Sequence, residues 1–185
     1  MHRSKTRALT GIAILSAIVV VLQLLGSFIR FGPVSVSLVL VPIVVGAAAF
    51  GPGAGAMLGG VFAIVVLLQP DTAFFYGVSF LGTVLTVLAK GILSGWLSGL
   101  TFRALRTKNE LLAVILAAAV CPLVNTGIFC IGSRLFFWDA LAELGGGNAL
   151  LFLITGMIGI NFVAEFLANV VCAPVIVRIL HAVKK

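Results

Sequence analysis

The chain has 185 residues, 62% of them hydrophobic and only 9% charged, and its mean hydropathy is +1.29. This composition excludes a soluble globular domain, and six membrane crossings at ~20 residues each with short loops leave no length for one beside them. The net charge of +7 is not a nucleic-acid signal, because the basic residues flank apolar stretches as membrane topology requires.

Taken in order, the chain reads as one all-α integral membrane domain, residues 1–185. Its six-transmembrane-helix bundle has spans at about 9–29, 35–50, 54–68, 78–102, 111–136 and 149–180. His2, Arg3, Lys5 and Arg7 precede span 1. Its apolar run is too long for a signal-peptide core, and more spans follow, so it is expected to remain in the protein. Ala13 and Ala17, with Gly11, give span 1 a small-residue face that lets another helix approach closely. Arg30 and Gly32-Pro33 close the span. Span 2 carries Pro42, and Phe50-Gly51-Pro52-Gly53-Ala54-Gly55 separates it from span 3. Both spans are short, so tilt, local thinning or irregular ends are expected. Gly51, Gly53, Gly55, Gly59 and Gly60 resemble a nucleotide loop only superficially. No Gly-Lys-Ser/Thr and no preceding strand accompanies them, and they read as helix-packing positions.

Gln69-Pro70-Asp71 is a turn, and Phe74-Phe75-Tyr76 is an aromatic cluster suited to a membrane surface. Span 4 holds Lys90 at mid-span, and Thr83, Thr86, Lys90 and Ser94 share one helix face. Arg103, Arg106, Lys108 and Glu110 form a short polar loop. In span 5, Pro122 frees the carbonyl of Ala118, Asn125-Thr126 supplies a polar point, and Arg134 lies at the far end near Trp138. Residues 138–148 read as a polar, glycine-rich loop with Asp139 and Glu143. Span 6 is over-long and should tilt or break near Gly156 or Gly159.

Six spans put both termini on one side. That side holds Arg3, Lys5, Arg7, Arg103, Arg106, Lys108, Arg178, Lys184 and Lys185, against Arg30 and Arg134 on the other. The imbalance predicts cytoplasmic termini and a cytoplasmic 103–110 loop.

Span 6 carries Asn161, Glu165 and Asn169 within an arc of about 80° on one face. A carboxylate at membrane depth is costly unless it meets a partner, water or protein. Lys90 is its natural counterpart, so spans 4 and 6 are expected to face one another, with Lys90 and Glu165 as a buried polar pair. That pair either fixes helix register or takes part in binding or coupling. Arg134 and the aromatics near it suit either an outer cavity for an anionic, partly apolar molecule or interfacial anchoring. Catalysis is not indicated. His2 and His181 are both terminal, and Gly-x-Ser-x-Gly, His-Glu-x-x-His and a membrane aspartate pair are all missing. No enzyme, catalytic residue, cofactor or metal is expected. Cys121, Cys130 and Cys172 fit neither a disulfide framework nor a zinc pattern.

Several phrases together resemble one family. They are the basic N-terminus with Ala-xxx-Ala in span 1, the run from Ser35 through Pro42 to Ala47, Phe50 to Gly55, Lys90-Gly91, Cys121-Pro122-Leu123-Val124-Asn125-Thr126-Gly127, and the Asn161/Glu165/Asn169 helix. The whole chain looks like the substrate-binding S component of energy-coupling factor (ECF) transporters, the bacterial vitamin importers. The resemblance implies a six-helix protein in the bacterial plasma membrane. It captures a vitamin or related micronutrient from outside and passes it through a membrane coupling protein and two cytosolic ATPase subunits. It implies that Ala13 and Ala17 match the coupling surface. It also implies an outer pocket, where Tyr76, Thr83, Asn125, Arg134, Trp138 and Asn161 fit. The acidic phrase after span 1 associated with riboflavin binders is missing, since that stretch reads Val34-Ser35-Val36-Ser37. A carboxylate vitamin would suit Arg134 and Lys90. The competing reading is a self-contained secondary transporter or channel with a Lys90/Glu165 ion relay. It is weakened by the lack of an internal repeat, since the Gly-Pro-Gly break has no counterpart in the second half.

Overall fold

The computed structural model describes the backbone of residues 2–28 and 38–184, and the side chains of these except 2–5, 27–28, 156–157, 160–161 and 183–184. Residues 29–37, with Arg30 and the junction of the first two expected spans, lie outside the described residues. So does the side chain of Asn161.

Among the described residues the chain is helical, in the order α1 (His2–Phe28), α2 (Leu40–Phe50), α3 (Pro52–Leu67), α4 (Ala73–Val78) after one 3-10 turn, α5 (Phe80–Leu105), α6 (Glu110–Phe136), α7 (Trp138–Leu144), α8 (Ala149–Phe152), a π-helical stretch Leu153–Ile158, α9 (Gly159–Val171) and α10 (Ala173–Lys184). Stretches Thr6–Gly26, Phe80–Leu105 and Glu110–Phe136 are each long and apolar enough to cross a membrane. Two more crossings are offered by bent pairs, α3 with the 70–78 segment at 76° and α9 with α10 at 46°. The sixth apolar stretch is α2, of 11 residues. Large side chains such as Leu9, Val21, Phe80 and Leu135 point outward, as a surface bathed by lipid tails requires.

The helix ends follow local chemistry. Ser79 caps α5 by accepting from the Gly82 amide at 3.2 Å, and Asn109 caps α6 by accepting from the Leu112 amide at 3.0 Å. Pro42 falls in the first turn of α2, where backbone amides have no intrahelical partner, so it costs the helix no hydrogen bond. Pro122 sits inside α6, which continues through it from Glu110 to Phe136. The 51–53 turn is sharp because Gly51 takes φ 97°, a region that favours glycine, and Pro52 starts α3 at once.

The glycines set the packing. A Cβ on Gly55 would strike the carbonyl of Gly95, and one on Gly59 would strike the carbonyl of Gly91; the reverse holds for Gly91 and Gly95. Helices α3 and α5 therefore cross backbone against backbone through two four-residue glycine spacings. Helix α6 packs along the other side of α5. Gly132 lies against Thr86 there, and the Ser98 hydroxyl donates to the Ala117 carbonyl at 2.9 Å. Gly11 of α1 meets the Phe50 ring, whereas Ala13 and Ala17 look outward. At the other end of α1, the Gln23 amide donates to Gln69 Oε1 at 2.8 Å and the Gln69 amide returns a bond to the Gln23 carbonyl at 3.2 Å.

The expected face-to-face packing of spans 4 and 6 is not what forms. The main neighbour of α9 is α6, which α5 flanks on its other side. The glycine seam draws α5 towards α3 instead. The break expected near Gly156 or Gly159 takes the form of the π-helical stretch ending at Gly159, with a second bend at Cys172. The expected 138–148 loop begins as a helix, α7. Residues 145–147 form its tight turn, with Gly146 and Gly147 at φ 63° and 98°.

Candidate functional site

Two apolar cores fill the bundle. The larger joins α1, α2, α3, α6 and α10 around Leu40, Ile43, Val44, Leu58, Val114 and Ile176. The smaller lies at the end away from Arg103 and Arg106, where Phe137, Leu141, Ala149 and Leu153 gather Phe75, Phe129 and Trp138. A cavity of about 60 Å³ lies where they meet, lined by Val66, Thr72, Phe75, Thr83, Thr86, Val87, Lys90, Phe129 and Phe137. At ~10–15 Å³ per water-sized group, this volume takes about four to six such groups.

Its walls are aromatic. The Phe75 ring meets Phe137 edge-on at 5.0 Å and Phe129 at 5.9 Å between centroids, with interplanar angles of 68° and 81°. Such pairs contribute about 0.5–1.5 kcal/mol each beyond burial. Thr83, Thr86 and Lys90 come from α5, three or four residues apart and hence on one face, and Thr72 comes from the 3-10 turn before α4. Thr83 Oγ1 donates to the Ser79 carbonyl at 2.7 Å, and Thr72 Oγ1 to the Val66 carbonyl at 2.6 Å. These two hydroxyls present acceptor lone pairs. Thr86 is 4% exposed, and among the described residues its hydroxyl has no partner.

Lys90 is half-buried, one helix turn beyond Thr86. Its ammonium lies 5.2 Å from the Phe129 ring centroid and 5.9 Å from that of Phe62, within cation–π range. Among the described residues no carboxylate comes within 4 Å of it. Glu165 acts on Lys90 through space and on Cys121 as well. The Glu165 carboxylate makes no hydrogen bond among the described residues, while its backbone carbonyl accepts from the Asn169 amide at 2.9 Å. Lys90 and Glu165 are thus electrostatic neighbours separated by more than a contact distance.

Of the residues singled out on sequence, Thr83 and Lys90 line the cavity. Tyr76 does not: its hydroxyl donates to the Leu67 carbonyl at 2.9 Å and its ring stacks on Phe80 at 5.4 Å. Arg134 is exposed, with its guanidinium 4.8 Å over the Trp138 ring. Asn125 is buried on α6, outside the lining, and among the described residues its amide oxygen has no partner. Phe75, Phe129 and Phe137 were not singled out as lining residues. Phe75 falls in a cluster that reads as a surface belt, and only its inward rotation in α4 separates it from Phe74.

A second hollow, about 400 Å³, opens at the basic end between the Phe50–Gly53 turn and Arg103 and Arg106. Both arginines are exposed, so it lacks the buried polar floor of the smaller cavity.

The helices thus surround a small chamber of aromatic side chains beside the Lys90 ammonium. The family model for the substrate-specific component of ECF transporters matches residues 7–177, and the chain belongs to that family. No curated protein and no solved structure matches it.

Proposed function

We propose that this chain is the solute-capture subunit of an ATP-driven ECF-type importer in the bacterial plasma membrane, and that its cargo is a vitamin or related micronutrient. The observation that carries the reading is the cavity between Phe75, Phe129, Phe137 and Lys90. It combines a mostly apolar lining with a few convergent polar groups, the usual makeup of a small-molecule site. The excess of Lys and Arg at the termini and the 103–110 loop supports placing them in the cytoplasm. The cavity then lies in the outer half of the bundle. Ala13 and Ala17, exposed beside Ile14 and Ile18, form the face for a coupling protein that delivers energy from two cytosolic ATPases.

Substrate contact is assigned first to Thr83, with Thr86 and Lys90. Tyr76, Arg134 and Trp138 frame the outer end, and Asn125 and Asn161 take secondary places. A Lys90/Glu165 ion relay in a self-contained transporter gains no specific support, because the two groups do not touch.

Mass spectrometry of small molecules released by denaturing the purified, washed protein tests the capture reading. It requires a released molecule that binds again to fresh protein. A protein that releases nothing, and binds nothing from a vitamin mixture, contradicts it.

A further inference from the structure

Resting on that capture reading, we infer that the cargo is a monocarboxylate whose carboxylate is received by the Lys90 ammonium and the Thr86 hydroxyl. The cavity holds one cation and no anion: Lys90 is the single charged residue of the lining. Among the described residues, no oxygen acceptor is assigned to its ammonium, which faces two rings. Beside it, the Thr86 hydroxyl is buried and, among the described residues, has no partner. A buried donor left unmade is costly, and such a group marks the place of an absent acceptor. Two unmet donors one helix turn apart on α5 form a matched seat for a two-oxygen anion.

Charge and volume narrow the class. A phosphate monoester carries close to two charges and would leave one uncompensated in this aromatic surround. Glu165, acting on Lys90 through space, would oppose the second charge further. A carboxylate matches the single ammonium. The cavity volume, about 60 Å³, takes the carboxylate and the first atoms attached to it. The rest of the molecule reaches beyond the cavity, and because the Phe75 and Phe137 rings meet edge-on at 5.0 Å it does not pass between them. Arg134 is not the anchor, since its guanidinium is committed to the Trp138 face.

Glu165, outside the lining, acts on Lys90 through space and so competes for its ammonium. Neutralising it leaves the ammonium wholly to the incoming carboxylate, so an anionic cargo binds no less tightly to Glu165→Gln.

The test compares wild type with Lys90→Met, Thr86→Val and Glu165→Gln, each checked for folding by its melting profile. Proteins are purified from cells grown in rich medium and denatured, and the released molecules are treated with carbodiimide and methylamine before mass spectrometry. The expected result is a released species that gains one methylamine less one water, the water going to the carbodiimide as it becomes the urea. Lys90→Met, which keeps an unbranched chain, should retain ~10–100-fold less of it, and Thr86→Val several-fold less, as loss of charged and neutral hydrogen bonds dictates. Glu165→Gln should retain at least as much as wild type. If Lys90→Met fails to fold, Thr86→Val and Glu165→Gln decide. A released species that takes up no amine, or folded variants that all retain it as wild type does, overturns the carboxylate assignment while capture stands. Release of nothing by the wild type, with no binding from a vitamin mixture, overturns both.

Discussion

Gly59 of α3 and Gly91 of α5 lie backbone to backbone, each occupying the space a Cβ on the other would need. Lys90 immediately precedes this contact. The seam therefore fixes where the ammonium enters the bundle, and it brings Phe62 of α3 to the ammonium and Val66 to the chamber wall.

Gly59→Ala should destabilise the protein by about 1–3 kcal/mol, as overpacking of a tight contact does. Gly60→Ala, whose Cβ would meet only Ile92 at 3.7 Å, should be close to neutral. Thermal unfolding of the two variants in the same detergent checks the difference. Equal melting temperatures would mean that the seam tolerates separation.

Phe75→Ala removes the ring that meets both Phe129 and Phe137 edge-on. At about 0.5–1.5 kcal/mol for each pair the fold should lose about 1–3 kcal/mol, and with one wall of the cavity gone cargo affinity should fall as well. Titration of the released molecule against wild type and variant measures this. Phe74→Ala, altering the exposed neighbour, should have a much smaller effect.

Arg134→Gln should leave cargo affinity within about twofold, because the side chain is exposed and sits on Trp138; an exposed cation–π contact is worth only ~0.5–1 kcal/mol, all of it outside the cavity. A loss of tenfold or more in the same titration would return Arg134 to the binding site.

Ala13→Leu with Ala17→Leu should abolish uptake in cells while binding by the purified protein persists. Both positions are exposed on α1 and neither borders the cavity. Parallel uptake and binding assays separate the two effects. Loss of binding would mean that this face serves the fold rather than a partner.

Much of the fold was legible because a bilayer simplifies the problem: apolar length, flanking charge and Pro-Gly breaks mark the helices. The glycine spacing also pointed to close packing, and Gly55, Gly59, Gly91 and Gly95 carry it. Helix neighbours were harder to read. Polar stripes on spans 4 and 6 suggested that Lys90 and Glu165 meet, but a stripe gives an angle, not a partner, and α6 is the principal neighbour of both helices. The cavity was half legible. Thr83, Thr86 and Lys90 share a face by spacing alone. Phe75, Phe129 and Phe137 come from three separate segments, and in so apolar a chain a phenylalanine carries no mark that separates a cage wall from a lipid-facing ring.

The most direct test of the central claim places the purified chain in liposomes and supplies the molecule it releases, radiolabelled, outside. The account predicts saturable binding without accumulation by the chain alone, and accumulation once the coupling protein, both ATPases and ATP are included. Accumulation by the chain alone, driven by an ion gradient and lost in Glu165→Gln, would contradict it.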